Sequence, residues 1–319
     1  FNMKKFLITG GYGLLGISLV KLLLKKKAKV VILDYKKSNK SDLFFEKNKN
    51  LKIENGNFIN MKSLIRIFKK HNFDGIFHLG AQTQVLRAYQ DPYHTHQTNV
   101  LGTLNLLEII RIKKLKIPLI YSSSDKAYGE LQKKYYYEDD KLNASYPYDA
   151  SKSASDIICQ SYSKTYNIKL GIIRSANIFG ECDFNVGRIV PETIISVLKN
   201  KKLKIRSSGK QKRDYLYVED VSRAYYKVFL ELKKKKKKLL IYNTGSKYNL
   251  TALQLIKKIY KILEVKENYV IMNSSKAEIQ NQRLNYTKIK KELGWEPKFS
   301  LGLSLKKTIS WYKLNINLF

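Results

Sequence analysis

Thr9-Gly10-Gly11-Tyr12-Gly13-Leu14-Leu15-Gly16 is the stretch that decides the fold. It follows an apolar run, residues 4–9, that reads as a strand, and it opens a segment of helical periodicity through about residue 27. Glycines here permit a tight turn and let backbone N–H groups approach a pyrophosphate. The N-terminus of the following helix then faces the anion. A lone GxGxxG pattern is weak, but here a strand precedes it and a helix follows it. Asp34 also ends the next strand, residues 29–34, roughly twenty residues on. An acid at that place accepts both ribose hydroxyls and favours NAD over NADP. Lys36 and Lys37 just beyond keep a 2′-phosphate open as the alternative.

Outward from this loop the chain alternates. Residues 51–54, 75–79, 117–122 and 169–174 read as strands, and 61–70, 99–113 and 148–166 as helices. Strands alternating with helices imply βαβ units, a parallel sheet and helices on both faces. The fold class is α/β, a Rossmann doubly wound parallel sheet with a smaller C-terminal α/β substrate lobe. The division expected is 1–176 for the dinucleotide-binding domain and 177–319 for the lobe, with strand and helix returns to the sheet from about 219–244. Past Gly180 the rhythm loosens: 191–199 helical, 203–206 extended, 219–232 helical, six lysines at 233–238 as a solvated loop, and 239–243 back in the sheet. Residues 251–263 form an amphipathic helix capped by Asn249 or Thr251.

Composition sets the outer bounds. The chain has 319 residues, 44% of them hydrophobic, which provides a core and excludes general disorder. No apolar run approaches the roughly 18 residues of a membrane span, and the apolar start is too brief for a signal peptide. A cytoplasmic protein with no membrane partner is expected. Cys159 and Cys182 form no CxxC, and His71, His94 and His96 offer no metal set. Net charge is +35, from 61 Lys+Arg against 26 Asp+Glu. The lysines are scattered and no nucleic-acid motif accompanies them, so a lysine-biased surface is expected rather than a nucleic-acid partner. The field would still attract an anionic substrate such as a nucleotide.

Tyr148 and Lys152 stand four apart at the start of a helix, on one face. A nearby ammonium lowers a phenol pKa, which suits Tyr148 to acid–base work on a sugar hydroxyl. Ser124 follows a strand at the sheet edge where ligands bind, and its hydroxyl can bond the same oxygen. His78, in an apolar strand, reads as a satisfied core histidine.

These pieces carry a resemblance. Residues 9–16, His78-Leu79-Gly80-Ala81, Thr98-Asn99-Val100-Leu101-Gly102-Thr103, residues 122–129, Tyr148 with Lys152, Arg213-Asp214-Tyr215-Leu216-Tyr217-Val218-Glu219-Asp220 and Leu293-Gly294-Trp295-Glu296-Pro297 span nearly the whole chain. Together they resemble the extended short-chain dehydrogenase/reductases of the nucleotide-sugar epimerase and dehydratase group. The resemblance implies bound NAD and a nucleotide-diphosphate sugar substrate. It implies cofactor contacts from Gly10, Tyr12, Gly13, Leu14, Leu15, Gly16, Asp34, Asn57, Phe58, Leu79, Gly80, Ala81, Asn99, Ser122, Tyr148 and Lys152. Asn57-Phe58 would flank the adenine, although the family usually has Asp at the first position. Gln82, Ser124, Asn177 and Arg188 would face the substrate, and Arg213 its phosphates, for which an Arg fork is suited.

Within the group, Ser124-Asp125-Lys126 is informative. The 4-epimerases typically have small or neutral residues after the Ser/Thr, whereas 4,6-dehydratases carry an acid. Asp-Lys resembles the CDP-glucose 4,6-dehydratases. The elimination needs a proton donor near O6 and a base near C5. Asp125 serves as donor if burial keeps it protonated. Lys126 is the base if desolvated, or it tunes Asp125, or the two form a plain surface ion pair. The implied function is an NAD-dependent nucleotide-sugar 4,6-dehydratase, with a 4-epimerase of NDP-hexose as the alternative and a non-catalytic NAD-sensing or nucleic-acid-binding protein as a third reading. The resemblance also suggests a homodimer through residues 99–113 and 148–166, where Leu104, Leu107 and Ile110 have apolar helix-face spacing.

Overall fold

The structure is a computed structural model and describes residues 3–35, 45, 48–234, 237–274 and 279–319. Its first half follows the βα alternation: β1 Lys5–Thr9, α1 Leu14–Lys25, β2 Lys29–Asp34, β3 Leu51–Asn55, α2 Met61–Lys70 and β4 Gly75–His78. Two short helices come next, α3 Val85–Gln90 and α4 Pro92–His96. They lead through a π-turn, Gln97–Leu101, into α5 Gly102–Ile112. Then come β5 Leu119–Ser124, a 3₁₀ turn Asp125–Tyr128, α6 Pro147–Tyr166 and β6 Leu170–Ser175. The second half runs β7 Asn177–Phe179, α7 Ile189–Leu198, β8 Leu203–Ile205, β9 Lys212–Tyr217, α8 Val218–Lys234, β10 Leu239–Thr244, β11 Asn249–Thr251 and α9 Ala252–Leu263. It ends with β12 Tyr269–Ile271, β13 Asn281–Gln282, α10 Thr287–Leu293 and α11 Leu301–Leu314.

Seven strands form one parallel sheet in the order β10-β6-β5-β4-β1-β2-β3. The order reverses between β1 and β4, where a doubly wound sheet opens its ligand crevice. Strand residues are buried on both faces, Phe6, Leu7 and Ile8 among them, as a sheet covered by two helix layers requires. One layer, α1 with α8, packs Leu19, Leu23, Val221 and Phe229 on the sheet. The other, α2, α5 and α6, contributes Leu64, Leu106, Ile110 and Cys159. The smaller strands β11-β9-β13, with β7 beside β9, sit past the carboxyl ends of the large sheet.

Several expectations shift. Strand β5 begins two residues later than the expected 117–122 and runs two residues further, to Ser124, because the polar Ser123 and Ser124 also pair with β6. The expected helix 99–113 begins as a π-turn. Asn99 sits in that turn, and its carbonyl accepts the Thr103 hydroxyl at 2.6 Å. Leu107 and Ile110 are buried against the sheet, so their spacing serves the core. Thr251, rather than Asn249, caps α9 through a capping box with Gln254. Cys159 and Cys182 are free and buried. Among the described residues no helix is long and apolar enough to cross a membrane, and no His/Cys/Asp/Glu cluster is arranged to hold a metal.

Candidate active site

The loop after β1 meets the loop after β4. Gly10 has φ of 69°, and a Cβ on it would lie 2.7 Å from the Cα of Gly80. A Cβ on Gly16 would lie 2.2 Å from the Gly10 carbonyl oxygen, so only glycine lets α1 start this close to the loop. Gly13 caps α1 with no side-chain bond to the first turn, leaving that turn's N–H groups to an anion. Leu14 and Leu15 turn inward to the core, so their contribution to the crevice is the backbone. Asp34 ends β2 at the same edge. This cradle fits the pyrophosphate and ribose of NAD. Lys36 and Lys37, the alternative for a 2′-phosphate, lie outside the described residues.

Phe58 departs from expectation. Its ring is buried, 5.2 Å from His78, and packs under Gly80 and Gly102. It props the β4 loop from behind instead of presenting a face to an adenine. Asn57 holds its own turn by accepting the Ile59 N–H at 3.0 Å. His78 bonds Thr9 and Thr103 at 2.7 and 3.0 Å, and burial pushes its pKa down to about 3, so it is the expected neutral core histidine.

Asn99 is buried and forms a two-way clamp with Gln82: Gln82 N–H donates to its Oδ1 at 2.8 Å, and its Nδ2 donates back to the Gln82 carbonyl at 3.0 Å. The same Nδ2 reaches Ser151 Oγ at 2.8 Å, and Ser151 donates to the Tyr148 carbonyl at 2.7 Å. Asn99 therefore ties the Leu79-Gly80-Ala81 loop to the first turn of α6. The Gln82 side chain is spent internally on Thr95 and Gln84, which removes it from the residues facing a substrate.

Ser124, Asp125, Lys126 and Tyr148 come together where β5 passes into its 3₁₀ turn. Ser124 caps that turn, accepting the Lys126 N–H at 3.2 Å and donating to Asp125 Oδ1 at 3.0 Å. Asp125 is 3% exposed; burial raises its carboxyl pKa against the opposing pull of Lys126, Ser124 and Arg213. Tyr148 is also pushed upward by burial, with Arg188 pulling down, Asp149 and Asp125 adding to the rise, and Ser124 pulling down. The expected lowering by Lys152 does not occur, because the ammonium points elsewhere. Lys152 Nζ donates to the Ser122 carbonyl at 2.8 Å and lies over the Tyr121 ring. Burial pushes the Lys152 pKa down to about 8.

Arg188 is the N-cap residue of α7 and is held by Asp183 at 3.1 Å. Arg213 projects from β9; it donates to the carbonyls of Lys212 and Ile279, and its charge reaches both Asp125 and Asp149. Asn177, half-buried, begins β7 in register with Tyr215. Sequence reasoning missed Asp149. It is buried in the first turn of α6, where burial raises its pKa to about 6 against Lys126 and Arg213. Its position between Tyr148 and Lys152 was the available signal.

Below the site a buried ion pair fastens β5 to β6 through α6. Arg174 Nε and Nη2 donate to the two Asp156 oxygens at 2.9 and 3.0 Å, and Ser123 Oγ donates to Asp156 at 2.7 Å. Arg174 Nη1 reaches Tyr128 Oη at 2.9 Å and the Glu138 carbonyl at 2.8 Å.

The family model described as GDP-mannose 4,6 dehydratase matches residues 7–308. A dTDP-glucose 4,6-dehydratase of Haemophilus influenzae is 28% identical, covering 98% of this chain and 99% of the relative. The human dTDP-D-glucose 4,6-dehydratase is 28% identical over 98% and 91%. Among solved structures, the UDP-glucose 4-epimerase of Thermotoga maritima has a TM-score of 0.90 and 28% identity, covering 98% of this chain and 99% of that one. The dTDP-glucose 4,6-dehydratase of Bacillus anthracis, solved in complex with NAD, has a TM-score of 0.87 and 26% identity, covering 99% and 98%. With the phosphate cradle, the Ser124/Tyr148/Lys152 group and a match over nearly its whole length, the chain belongs to the GDP-mannose 4,6 dehydratase family.

Proposed function

We infer that the chain is an NAD-dependent nucleotide-sugar 4,6-dehydratase, a lyase that converts a nucleoside-diphosphate hexose to its 4-keto-6-deoxy form. The family match and the full-length dehydratase relatives support the reaction class. The residue that carries it is Asp125. A carboxyl buried at the Ser124 end of the site and raised in pKa is suited to deliver a proton to a leaving hydroxyl, which a 4-epimerase does not require.

Tyr148, beside Ser124 and in the phenolate form that the charge of an oxidised nicotinamide would favour, removes the O4 proton and, after water has left, passes it through Ser124 to the Asp125 carboxylate, so that both groups regain their starting forms. NAD held in the cradle of Gly10, Gly13, Gly16 and Asp34 would supply the hydride chemistry at C4 and C6. With C4 a ketone, Lys126, in the neutral amine form that exclusion of water by the bound substrate favours, takes the C5 proton, Asp125 protonates O6, the C6–O bond breaks and water leaves. Lys126 then returns its proton to C5. Lys152 fixes the Ser122 carbonyl and the β5 end. Gly10, Gly13 and Gly16 hold the pyrophosphate, and Asp34 the ribose. Arg188 and Arg213 take the sugar-nucleotide phosphates, beside Asn177.

The chain divides into a dinucleotide domain, residues 1–176 with the returns α8 and β10 from about 219–244, and a nucleotide-sugar lobe formed by the rest of 177–319. A homodimer through α5 and α6 is supported by exposed Ile112 on α5 and exposed Ile157 and Tyr166 on α6. A cytoplasmic location follows from soluble nucleotide-sugar chemistry.

The test is to incubate the protein and NAD with dTDP-, CDP-, UDP- and GDP-hexoses and follow products by mass spectrometry and NMR. Loss of one water from a single donor, with a 4-keto-6-deoxy product, is expected. The relatives make dTDP-glucose the first donor to try, and Asp125-Lys126 makes CDP-glucose the second. The likeness to the Thermotoga maritima epimerase favours one other reading; unchanged mass with inverted C4 would establish it and refute the dehydratase.

A further inference from the structure

Strand β13 is two residues long, and one of them reaches the elimination group. Gln282 is 1% exposed and lies in parallel register with Arg213 of β9. Its Nε2 donates to the Asp125 carbonyl at 3.3 Å. That carbonyl can only accept, so the amide orientation is fixed by chemistry and Oε1 must face away. Oε1 is buried and has no hydrogen-bond partner among the described residues.

The strand itself is held on every side. Asn249 Nδ2 donates to the Gln282 carbonyl at 3.1 Å, and Asp214 accepts the Leu284 N–H at 3.0 Å. Tyr136 N–H donates to the Arg283 carbonyl at 2.9 Å. Arg213 Nη2 donates to the Ile279 carbonyl at 2.6 Å, three residues before Gln282. Gln282 is thus a rigid strut between the strand that carries Arg213 and the turn that carries Asp125. A residue serving packing alone at this depth would be apolar, since an amide leaves an oxygen unsatisfied.

We propose that Gln282 is a positioning residue for the elimination step: through the Asp125 carbonyl it sets the 3₁₀ turn so that the Asp125 carboxyl meets the leaving hydroxyl. The inference rests on the dehydratase reading above. It assigns Gln282 no part in C4 oxidation, which belongs to Tyr148, Ser124 and the cofactor cradle. Removing the strut therefore separates two steps that general damage would lower together.

The experiment is single-turnover kinetics of wild type and Gln282→Met with NAD and the donor that wild type dehydrates. C4 oxidation is read from reduced-nicotinamide absorbance and elimination from the 4-keto-6-deoxy product. Met keeps the length and removes the donor. Elimination is expected to slow by about tenfold, the rate equivalent of one hydrogen bond. Oxidation stays within about twofold, so reduced cofactor and unreacted 4-keto hexose accumulate. If Gln282→Met does not fold, Gln282→Leu carries the same comparison, because its side chain also has no donor for the Asp125 carbonyl. Equal slowing of both steps, or no slowing of elimination, overturns the proposal. Absence of a 4-keto-6-deoxy product from wild type would instead overturn the dehydratase reading.

Discussion

Asp156→Asn isolates the value of the buried pair beneath the active site. The side chain keeps its shape and loses its charge, while Arg174, 1% exposed, keeps its own. Of the two charge-assisted bonds at 2.9 and 3.0 Å, one is weakened to a neutral acceptor and the other is lost to an N–H facing N–H, and the Ser123 bond at 2.7 Å loses its ionic acceptor. Breaking a buried pair from one side costs about 3–5 kcal/mol, because a buried charge is left uncompensated. For 319 residues the entropy of unfolding is about 0.7 kcal/mol per degree. The expected fall in Tm is therefore about 4–7 °C, read by circular dichroism and checked by urea titration of the same variant. The double variant Asp156→Leu/Arg174→Met should recover much of the loss, since removing both charges removes the desolvation burden. A single-variant loss below about 1 kcal/mol, or a double variant worse than the single one, would refute this account of the pair.

Tyr148→Phe should bind NAD as wild type does, by isothermal titration, and lose turnover by about 10²–10⁴-fold. Asp125→Asn should still oxidise C4 but make 4-keto-6-deoxy product about 10²–10⁴-fold more slowly, measured by NMR. Asp149, held at a pKa of about 6, binds a proton in the folded chain that the unfolded chain releases near pH 4. Stability therefore falls as pH rises through that window. Asp149→Ser should exceed wild type at pH 7 by up to about 3 kcal/mol and lose the advantage near pH 4, by denaturant titration at both pH values. Gly16→Ala forces a Cβ to within 2.2 Å of a backbone carbonyl, so NAD titration should show affinity reduced at least about tenfold.

The large sheet was legible because its strands are long, apolar and punctuated by glycine or helical periodicity. The phosphate loop was legible because three glycines stand between a strand and a helix. β5 was misjudged at its end: Ser123 and Ser124 are polar yet paired, and polarity alone marks a loop only where the backbone lacks a partner. Lys152 was placed on the correct face, but helical spacing does not say which acceptor a four-carbon chain will choose, and here it is the Ser122 carbonyl. Phe58 and Gln82 carry the residue types of ligand contacts and are spent inside the protein. Gln282 was invisible because a two-residue strand has no periodicity, and its register with Arg213 exists only through contacts far away in sequence.

The seventh strand of the sheet arrives late. β10 pairs with β6, yet 63 residues separate Ser175 from Leu239, counting those between them. At about 5–20 residues per second of synthesis, the Leu170–Ser175 edge waits several seconds for its neighbour. During that interval the nascent chain exposes a row of unpaired backbone groups flanked by leucine and isoleucine, the template on which polypeptides aggregate. The six lysines at 233–238 emerge just ahead of β10 and give the incoming strand a charged escort. Flanking charges of this kind discourage an apolar strand from pairing with a second chain before it reaches its own sheet.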